Sequence, residues 1–153
     1  MSLPVINTGD DGVGPRGSAG WLYSPMVKDH FFHPRNLQEE MPAEGEFDGH
    51  GEVGSPACGD VMRIWIKVGR KADGVEHLTE CKWQTFGCAS AIAATSMMSE
   101  IVLENGGMTL EEAMEITPQI ITERLGGLPK RKIHCSVLGD QALKKAIENY
   151  HER

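Results

Sequence analysis

Five side chains of the types that bind metals or carry sulfur occur in three short stretches of the chain: Cys58, Asp60, Cys88, His134 and Cys135. Thiolates suit zinc and iron–sulfur clusters, imidazole suits zinc or iron, and a carboxylate is a harder oxygen ligand. A permanent cluster site typically uses four cysteines. Three cysteines with an exchangeable Asp or His would hold a cluster less firmly, which suits a carrier that hands the cluster on.

Spacing alone does not choose between the chemistries that these residues offer. Twenty-nine residues separate Cys58 from Cys88 and forty-six separate Cys88 from Cys135, far from the Cys-x-x-Cys pairs of zinc fingers. A cluster site, a stable zinc site and a Cys–His hydrolase therefore all stay open. The hydrolase is the weakest of the three, because residues adjacent in sequence, such as His134 and Cys135, seldom form a catalytic pair: neighbouring side chains usually diverge.

Composition limits the class of protein. The chain has 153 residues, 40% of them hydrophobic, which fits one globular domain with a sizeable core. Its net charge of −7 argues against a nucleic-acid partner, and the basic run at 130–132 is too short to reverse that expectation. No apolar stretch approaches the roughly 20 residues that span a bilayer, and no signal peptide is visible. We expect a cytoplasmic protein with reduced cysteines and no membrane partner.

Alternation predicts two long strands and one short one. Met62, Ile64, Ile66 and Val68 alternate with polar residues and Trp65, which predicts a half-buried strand over 61–68. The Asp73-Gly74 pair indicates a hairpin turn into a second strand over about 75–85. Cys81 lies in that strand, where we expect a core residue. A short strand is expected near Glu52-Val53.

Helices follow the strands, and their ends carry capping signals. Ser24 and Pro25 predict an opening helix that ends at His33-Pro34. The other predicted helices run from about Cys88 to Glu104, from the Thr109/Glu112 capping box, from Thr117-Pro118, and from a Ser136 cap to the end of the chain. Antiparallel strands followed by helices predict an α+β domain with a small antiparallel sheet of about three strands.

The candidate ligands fall at the ends of these elements. Cys58 and Asp60 flank Gly59 in a turn before the first long strand, and Cys88 follows Gly87 where a strand gives way to a helix. A helix N-terminus favours thiolate, the form that binds metal and attacks sulfur. His134 and Cys135 are expected in the loop before the last helix. Loops at element ends can gather at one edge of a sheet.

The sequence around these residues resembles that of IscU-type iron–sulfur scaffolds and of the NifU N-terminal domain. The resemblance covers about residues 22–152 and rests on three motifs in the family's order and spacing, Pro56-Ala57-Cys58-Gly59-Asp60-Val61-Met62, Thr85-Phe86-Gly87-Cys88-Ala89-Ser90-Ala91-Ile92-Ala93 and Lys132-Ile133-His134-Cys135-Ser136. The histidine before the last cysteine matches the IscU type and not the SufU type. The resemblance implies an α+β domain with a solvent-facing site at one end.

By position, the resemblance makes Cys58, Cys88 and Cys135 the cluster thiolates, with Asp60 and His134 as alternates for the fourth place. It implies a scaffold and carrier, not an enzyme. A transient [2Fe–2S] cluster would be built from iron and from persulfide sulfur supplied by an IscS- or NifS-like cysteine desulfurase. Cys135 would be the persulfide acceptor, and a ferredoxin or other apo-protein would receive the cluster. Zinc is a further occupant of the same site in the family.

Two features depart from the family pattern. The family's Hsp70 chaperone segment reads Leu-Pro-Pro-Val-Lys, whereas this chain has Leu128-Pro129-Lys130-Arg131-Lys132, with two cations at the centre. That change puts transfer assisted by an Hsp70-type chaperone in doubt, or else calls for a chaperone partner of different charge. The glycine-rich residues 1–21 are expected to be a flexible tail, and 22–153 a single scaffold domain.

Overall fold

The computed structural model describes residues 24–55, 60–128 and 134–152. Three strands and five α-helices form an α+β domain, as predicted. The strands are β1 (Gly49–Ser55), β2 (Asp60–Arg70) and β3 (Glu76–Phe86). The helices are α1 (Pro25–Phe32), α2 (Ala89–Leu103), α3 (Leu110–Met114), α4 (Pro118–Arg124) and α5 (His134–His151), with a 3-10 turn at Glu104–Gly106 after α2.

Helix α1 begins and ends where the capping signals predict. The Ser24 hydroxyl accepts a hydrogen bond from the Val27 N–H at 3.1 Å, and Pro25 occupies the first helical position. The same hydroxyl donates to the Leu125 carbonyl after α4. His33 is the C-cap. The start of α1 is therefore tied to the far end of the helical layer.

The sheet has the order β1-β2-β3, with both pairs antiparallel. The expected short strand near Glu52-Val53 is longer than predicted, because β1 extends over seven residues from Gly49. Three of those seven residues are glycines, which have low strand propensity, so local sequence understates the strand. Strand β1 is stabilised instead by pairing with β2 along its whole length and by packing against α5.

Strand β2 is buried on both faces near its middle. Met62, Ile64 and Ile66 are fully buried against the helices, as the alternation predicts. Trp65 points to the other face and is nevertheless only 5% exposed, because it stacks on His50 at 5.4 Å between ring centroids and lies beside Phe47. The prediction of a half-buried strand was wrong at this residue. The predicted turn at Asp73-Gly74 joins β2 to β3.

Helices α3 and α4 begin at the predicted caps, whereas α5 begins earlier than predicted. Thr109 and Glu112 form the full capping box, and Thr117 caps α4 through the Ile120 N–H. Helix α5 begins at His134, two residues before the expected Ser136 cap. His134 and Cys135 therefore belong to the first turn of the helix and not to a loop before it.

The hydrophobic core lies between the sheet and helices α2 and α5. Helix α2 is buried over most of its length, including Met97 and Met98. Leu143, Ala146 and Ile147 of α5 are fully buried on one face of that helix. Among the helices within the ranges described above, none is both long enough and apolar enough to cross a bilayer.

Candidate functional site

The first motif lies where β1 turns into β2. Ser55, the last residue of β1, pairs directly with Asp60, the first residue of β2. The four residues that link them include Cys58 and lie outside the described residues. The backbone of Asp60 is placed at this edge of the sheet, and its side chain belongs to the part that is not described.

The second motif reaches the same edge from β3. Val61, next to Asp60, pairs with Phe86, and the Thr85 hydroxyl donates to the Val61 carbonyl at 2.7 Å. Cys88 follows two residues after Phe86. The end of β3 is thus held against the start of β2, and Cys88 lies beside the segment that carries Asp60.

Cys88 is the N-cap residue of α2. Its backbone is extended, and its carbonyl accepts the first helical hydrogen bond, from the Ile92 N–H at 3.1 Å. The side chain is half-buried and packs against the edge of the core. Cys88 thus lies at the N-terminus of a fifteen-residue helix, the end that carries the partial positive charge of the helix dipole.

The third motif arrives on α5. Gly51 of β1 lies against Ala142 of α5, and Gly49 lies against Ala146. The helix therefore runs opposite to β1, and its first turn points to the edge where β1 ends. That first turn contains His134 and Cys135, whose backbone is placed and whose side chains lie outside the described part.

Three chain segments that bear the motifs thus meet at one edge of the sheet. The pairing of the strands and the direction of α5 along β1 place the backbone of Asp60, Cys88, His134 and Cys135 towards the same edge. The coordination of a metal by these side chains and by Cys58 stays a prediction. Among the side chains that the structure does describe, no three His, Cys, Asp or Glu groups gather closely enough to hold a metal ion.

Cys81 is a core residue, as predicted. It is fully buried in β3 on the face that packs against the helices. Burial raises the pKa of its thiol to about 12, so the thiol stays protonated at neutral pH. A protonated, buried thiol is a poor ligand and a poor nucleophile.

Sequence reasoning missed one buried charge on the helix that carries Cys135. Asp140 of α5 is 6% exposed, and its Oδ2 accepts from Lys144 Nζ at 3.1 Å. Its Oδ1 has no hydrogen-bond partner in the described structure. Burial raises the pKa of this carboxyl, and the hydrogen bond from Lys144 opposes that rise. In the sequence, the one feature that could have pointed to Asp140 is an acidic residue beside an otherwise apolar helix face.

Comparison with known sequences gives one consistent family. Residues 22–153 match the family model described as the NifU-like N-terminal domain. The iron–sulfur cluster assembly scaffold protein IscU 1 of Archaeoglobus fulgidus is 48% identical over 132 residues, which cover 86% of this chain and 78% of that protein. The scaffold protein IscU of Aquifex aeolicus is 43% identical over 128 residues, covering 84% and 75%. NifU of Nostoc is 43% identical over 85% of this chain but only 42% of its own length.

Solved structures support the fold. A NifU-like N-terminal protein from Brucella abortus superposes with a TM-score of 0.60 at 19% identity, covering 86% of this chain and 96% of that one. A SUF-system scaffold protein from Fervidobacterium islandicum gives a TM-score of 0.56 at 18% identity, covering 85% and 99%. At these identities the likeness concerns the α+β architecture alone.

Proposed function

The chain belongs to the NifU-like N-terminal domain family, and from that premise we propose that it is an IscU-type scaffold on which an iron–sulfur cluster is assembled and then handed on. Relatives in Archaeoglobus fulgidus and Aquifex aeolicus are named as such scaffolds. The observation that carries the proposal is the meeting of three motif-bearing segments at one sheet edge: the start of β2, the N-cap of α2 and the first turn of α5.

The cluster is the cargo of this site, and the three cysteines are its ligands. Cys58, Cys88 and Cys135 supply thiolates to a [2Fe–2S] cluster, because thiolate is the ligand that such clusters prefer. Cys88 approaches the cluster from the N-cap of α2, at the positive end of that helix. Residues 22–153 act as the working unit.

Sulfur reaches the scaffold by transfer of the terminal sulfur of a persulfide from one cysteine to another. The Cys135 thiolate attacks the terminal sulfur of the desulfurase persulfide, so that a new S–S bond forms on Cys135 while the old one breaks and the desulfurase leaves as thiolate. Converting two such sulfurs to sulfide takes four electrons. Oxidation of two ferrous ions to ferric supplies two of them, and a reduced ferredoxin or a thiol reductant supplies the other two.

The fourth coordination place is shared between Asp60 and His134. A carboxylate is a harder ligand than thiolate and binds a cluster iron less firmly. An exchangeable ligand at one place leaves an opening for the acceptor's own thiolate, which is the step that a carrier needs. Asp60 is the first residue of β2 and His134 the first residue of α5, and both elements start at the same edge.

The partners follow from this chemistry. An IscS- or NifS-like cysteine desulfurase donates sulfur, and a ferredoxin or another apo iron–sulfur protein accepts the cluster. An Hsp70-type chaperone would read residues 128–132, of which all but Leu128 lie outside the described structure. The two central cations of that segment predict weak chaperone binding.

Anaerobic assembly tests the proposal. The reduced protein is mixed with ferrous iron, cysteine and a cysteine desulfurase, and the visible absorption of a [2Fe–2S] chromophore is followed. We expect the chromophore to form and to be lost in Cys58→Ser, Cys88→Ser and Cys135→Ser. The matched control is Cys81→Ala, which removes the buried thiol and leaves assembly intact.

Transfer separates a scaffold from a zinc-binding module of the same fold. A scaffold passes its cluster to an apo-ferredoxin, which is followed by the ferredoxin's own spectrum after separation of the two proteins. A chain that holds zinc against displacement and yields no holo-ferredoxin would overturn the scaffold role.

A further inference from the structure

Helix α5 lies closer to β1 than a side chain on the strand would permit. A Cβ atom added at Gly51 would overlap the Ala142 carbonyl oxygen and lie 2.6 Å from the Ala146 nitrogen. A Cβ at Gly49 would overlap the Ala146 carbonyl oxygen. The overlapping atoms belong to the helix backbone, so no change of side-chain rotamer would relieve the overlap. Glycine at both positions is what lets the helix sit directly on the strand.

The same helix is fixed in two further directions. The His50 backbone N–H, between the two glycines, donates to the Asn149 side-chain oxygen at 3.0 Å, which sets the helix along the strand. On the side facing α2, a Cβ at Gly139 would lie 3.3 Å from the Thr95 hydroxyl. The distances from α5 to β1 and to α2 are therefore both set by contacts at glycines.

These contacts lie within reach of the candidate site. Ala142 lies seven positions after Cys135, about 10 Å along a helix at 1.5 Å per residue. Ser55 lies four positions after Gly51, about 13 Å along a strand. The first turn of α5 and the end of β1 thus lie at a similar level along the direction of the strand. A shift of α5 at Gly51 moves the Cys135 backbone relative to Asp60 and Cys88.

We propose that Gly51 and Gly49, with Gly139, are positioning residues: they set the distance of the Cys135 backbone from the two other motif-bearing segments. This inference rests on the proposed function, since it concerns the same site. A metal-binding constellation must be held within about 0.5 Å of its working geometry. Relief of the overlap at Gly51 needs a helix displacement of about 1 Å, which exceeds that tolerance.

Cobalt(II) binding tests the positions of the thiolates without any assembly reaction. Sulfur-to-cobalt charge-transfer absorption reports bound thiolates, and titration of the full reduced chain under argon gives the affinity. We expect Gly51→Ala to weaken cobalt binding about 10-fold, the usual scale for losing an orienting contact around a metal site. We also expect a lower charge-transfer absorption per bound cobalt.

A double-mutant comparison separates positioning from general destabilisation. In Gly51→Ala the further change Cys135→Ser is expected to cost at least about threefold less affinity than in the unaltered protein, because Cys135 already contributes less. The change Cys88→Ser should cost as much in both backgrounds. A variant that is merely less stable would diminish both effects alike, and that result would overturn the inference.

Two other glycines provide the control and the second variant. In Gly69→Ala, elsewhere in the sheet, the added Cβ meets two side chains, the Thr79 methyl group at 2.8 Å and the His77 ring at 3.7 Å, and cobalt binding should be unchanged. Gly139→Ala raises helix propensity by about 1 kcal/mol while pressing α5 from the side of α2. It should therefore bind cobalt more weakly without being less stable in urea, but by less than Gly51→Ala, because a contact at 3.3 Å with a side-chain hydroxyl needs a smaller shift than a backbone overlap. This variant keeps the test decisive if Gly51→Ala does not fold.

The outcomes also distinguish this inference from the function on which it rests. Unchanged cobalt spectra in Gly51→Ala and Gly139→Ala, beside a normal thiolate spectrum in the unaltered protein, would overturn the positioning role alone. An unaltered protein without thiolate charge transfer would overturn the proposed site and the positioning role together.

Discussion

The imidazole Nδ1 of His30 lies 2.7 Å from the Ser96 hydroxyl, which joins α1 to α2 inside the protein. The same hydroxyl accepts the Arg35 backbone N–H at 2.9 Å. Nε2 of His30 lies 3.4 Å from a Glu100 carboxylate oxygen, and the histidine is 1% exposed. The opening helix is thus attached to the core through one buried, titratable side chain.

His30 predicts a stability that falls on acidification. Burial lowers the pKa of His30 below its ordinary 6.5, and Arg35 lowers it further, against the opposing charges of Glu100 and Asp29. Because the unfolded chain binds the proton more readily, the stabilising effect is present above pH 6.5 and is lost as pH falls through the folded pKa. Urea unfolding at a series of pH values should show the free energy of unfolding decreasing below pH 6.5.

Two histidine replacements check this assignment. His30→Gln should flatten the pH dependence between about pH 7 and 5, although the variant is less stable at every pH. His33→Gln, at the exposed C-cap of α1, should keep the slope of the unaltered protein. An unchanged slope in His30→Gln would assign the acid sensitivity to another group.

Cys81 and Cys88 are predicted to differ sharply in reactivity. Cys81 is fully buried with a pKa of about 12, whereas Cys88 is half-buried at a helix N-terminus. Iodoacetamide at pH 8 should label Cys88 in the native, metal-free protein and leave Cys81 unmodified, as read by peptide mass spectrometry. In denaturing urea all four cysteines of the chain should react. Native labelling of Cys81 at a comparable rate would contradict its burial.

Replacing Asp140 by an apolar residue is predicted to stabilise the protein. A buried carboxylate with one unpaired oxygen costs more in desolvation than its single pairing with Lys144 returns. We expect Asp140→Leu to raise the free energy of unfolding by about 1 kcal/mol at pH 7.5. Since burial raises the pKa of this carboxyl, the gain should shrink as pH falls through that pKa and the native residue becomes neutral.

Glu148→Leu is the matched control for Asp140→Leu. Glu148 is exposed on the same helix, so its replacement should change stability by no more than about 0.5 kcal/mol. Equal urea midpoints for Asp140→Leu and the unaltered protein would show that the Asp140 carboxylate does not destabilise the folded protein.

The parts of the fold that sequence predicts are those with local causes. The Ser24 cap and the Thr109/Glu112 box lie within one turn of the helices they begin, so their residues alone mark the boundary. Strand β1 and the burial of Trp65 depend instead on residues distant in sequence. No local pattern contains that information, and both were underestimated.

The candidate site likewise has features that local sequence predicts and features that depend on residues distant in sequence. Three motifs and their order could be read from sequence, and so could their place at the ends of elements. The direction of α5 along β1, which brings Cys135 to the edge that carries Asp60 and Cys88, depends on backbone contact at Gly49 and Gly51. In sequence those glycines resemble an ordinary loop, and Asp140 resembles an ordinary helix surface residue.

Asp60 is predicted to govern release of the cluster. Its backbone begins β2 opposite Ser55, at the edge where the cluster would be held. Without the hard, exchangeable carboxylate, the opening through which an acceptor enters is lost, so Asp60→Ala should retain its cluster several-fold longer than the unaltered protein. The measurement is the decay of the visible chromophore under argon with excess apo-ferredoxin, together with the rate at which holo-ferredoxin appears.

The control for Asp60→Ala is Glu80→Ala, which removes a surface carboxylate paired with Lys67 elsewhere in the same sheet. It should release its cluster at the unaltered rate, because it changes the charge of the chain equally without touching the candidate site. Faster cluster loss from Asp60→Ala than from Glu80→Ala would mean that Asp60 holds the cluster instead of opening it, and His134 would then be the exchangeable ligand.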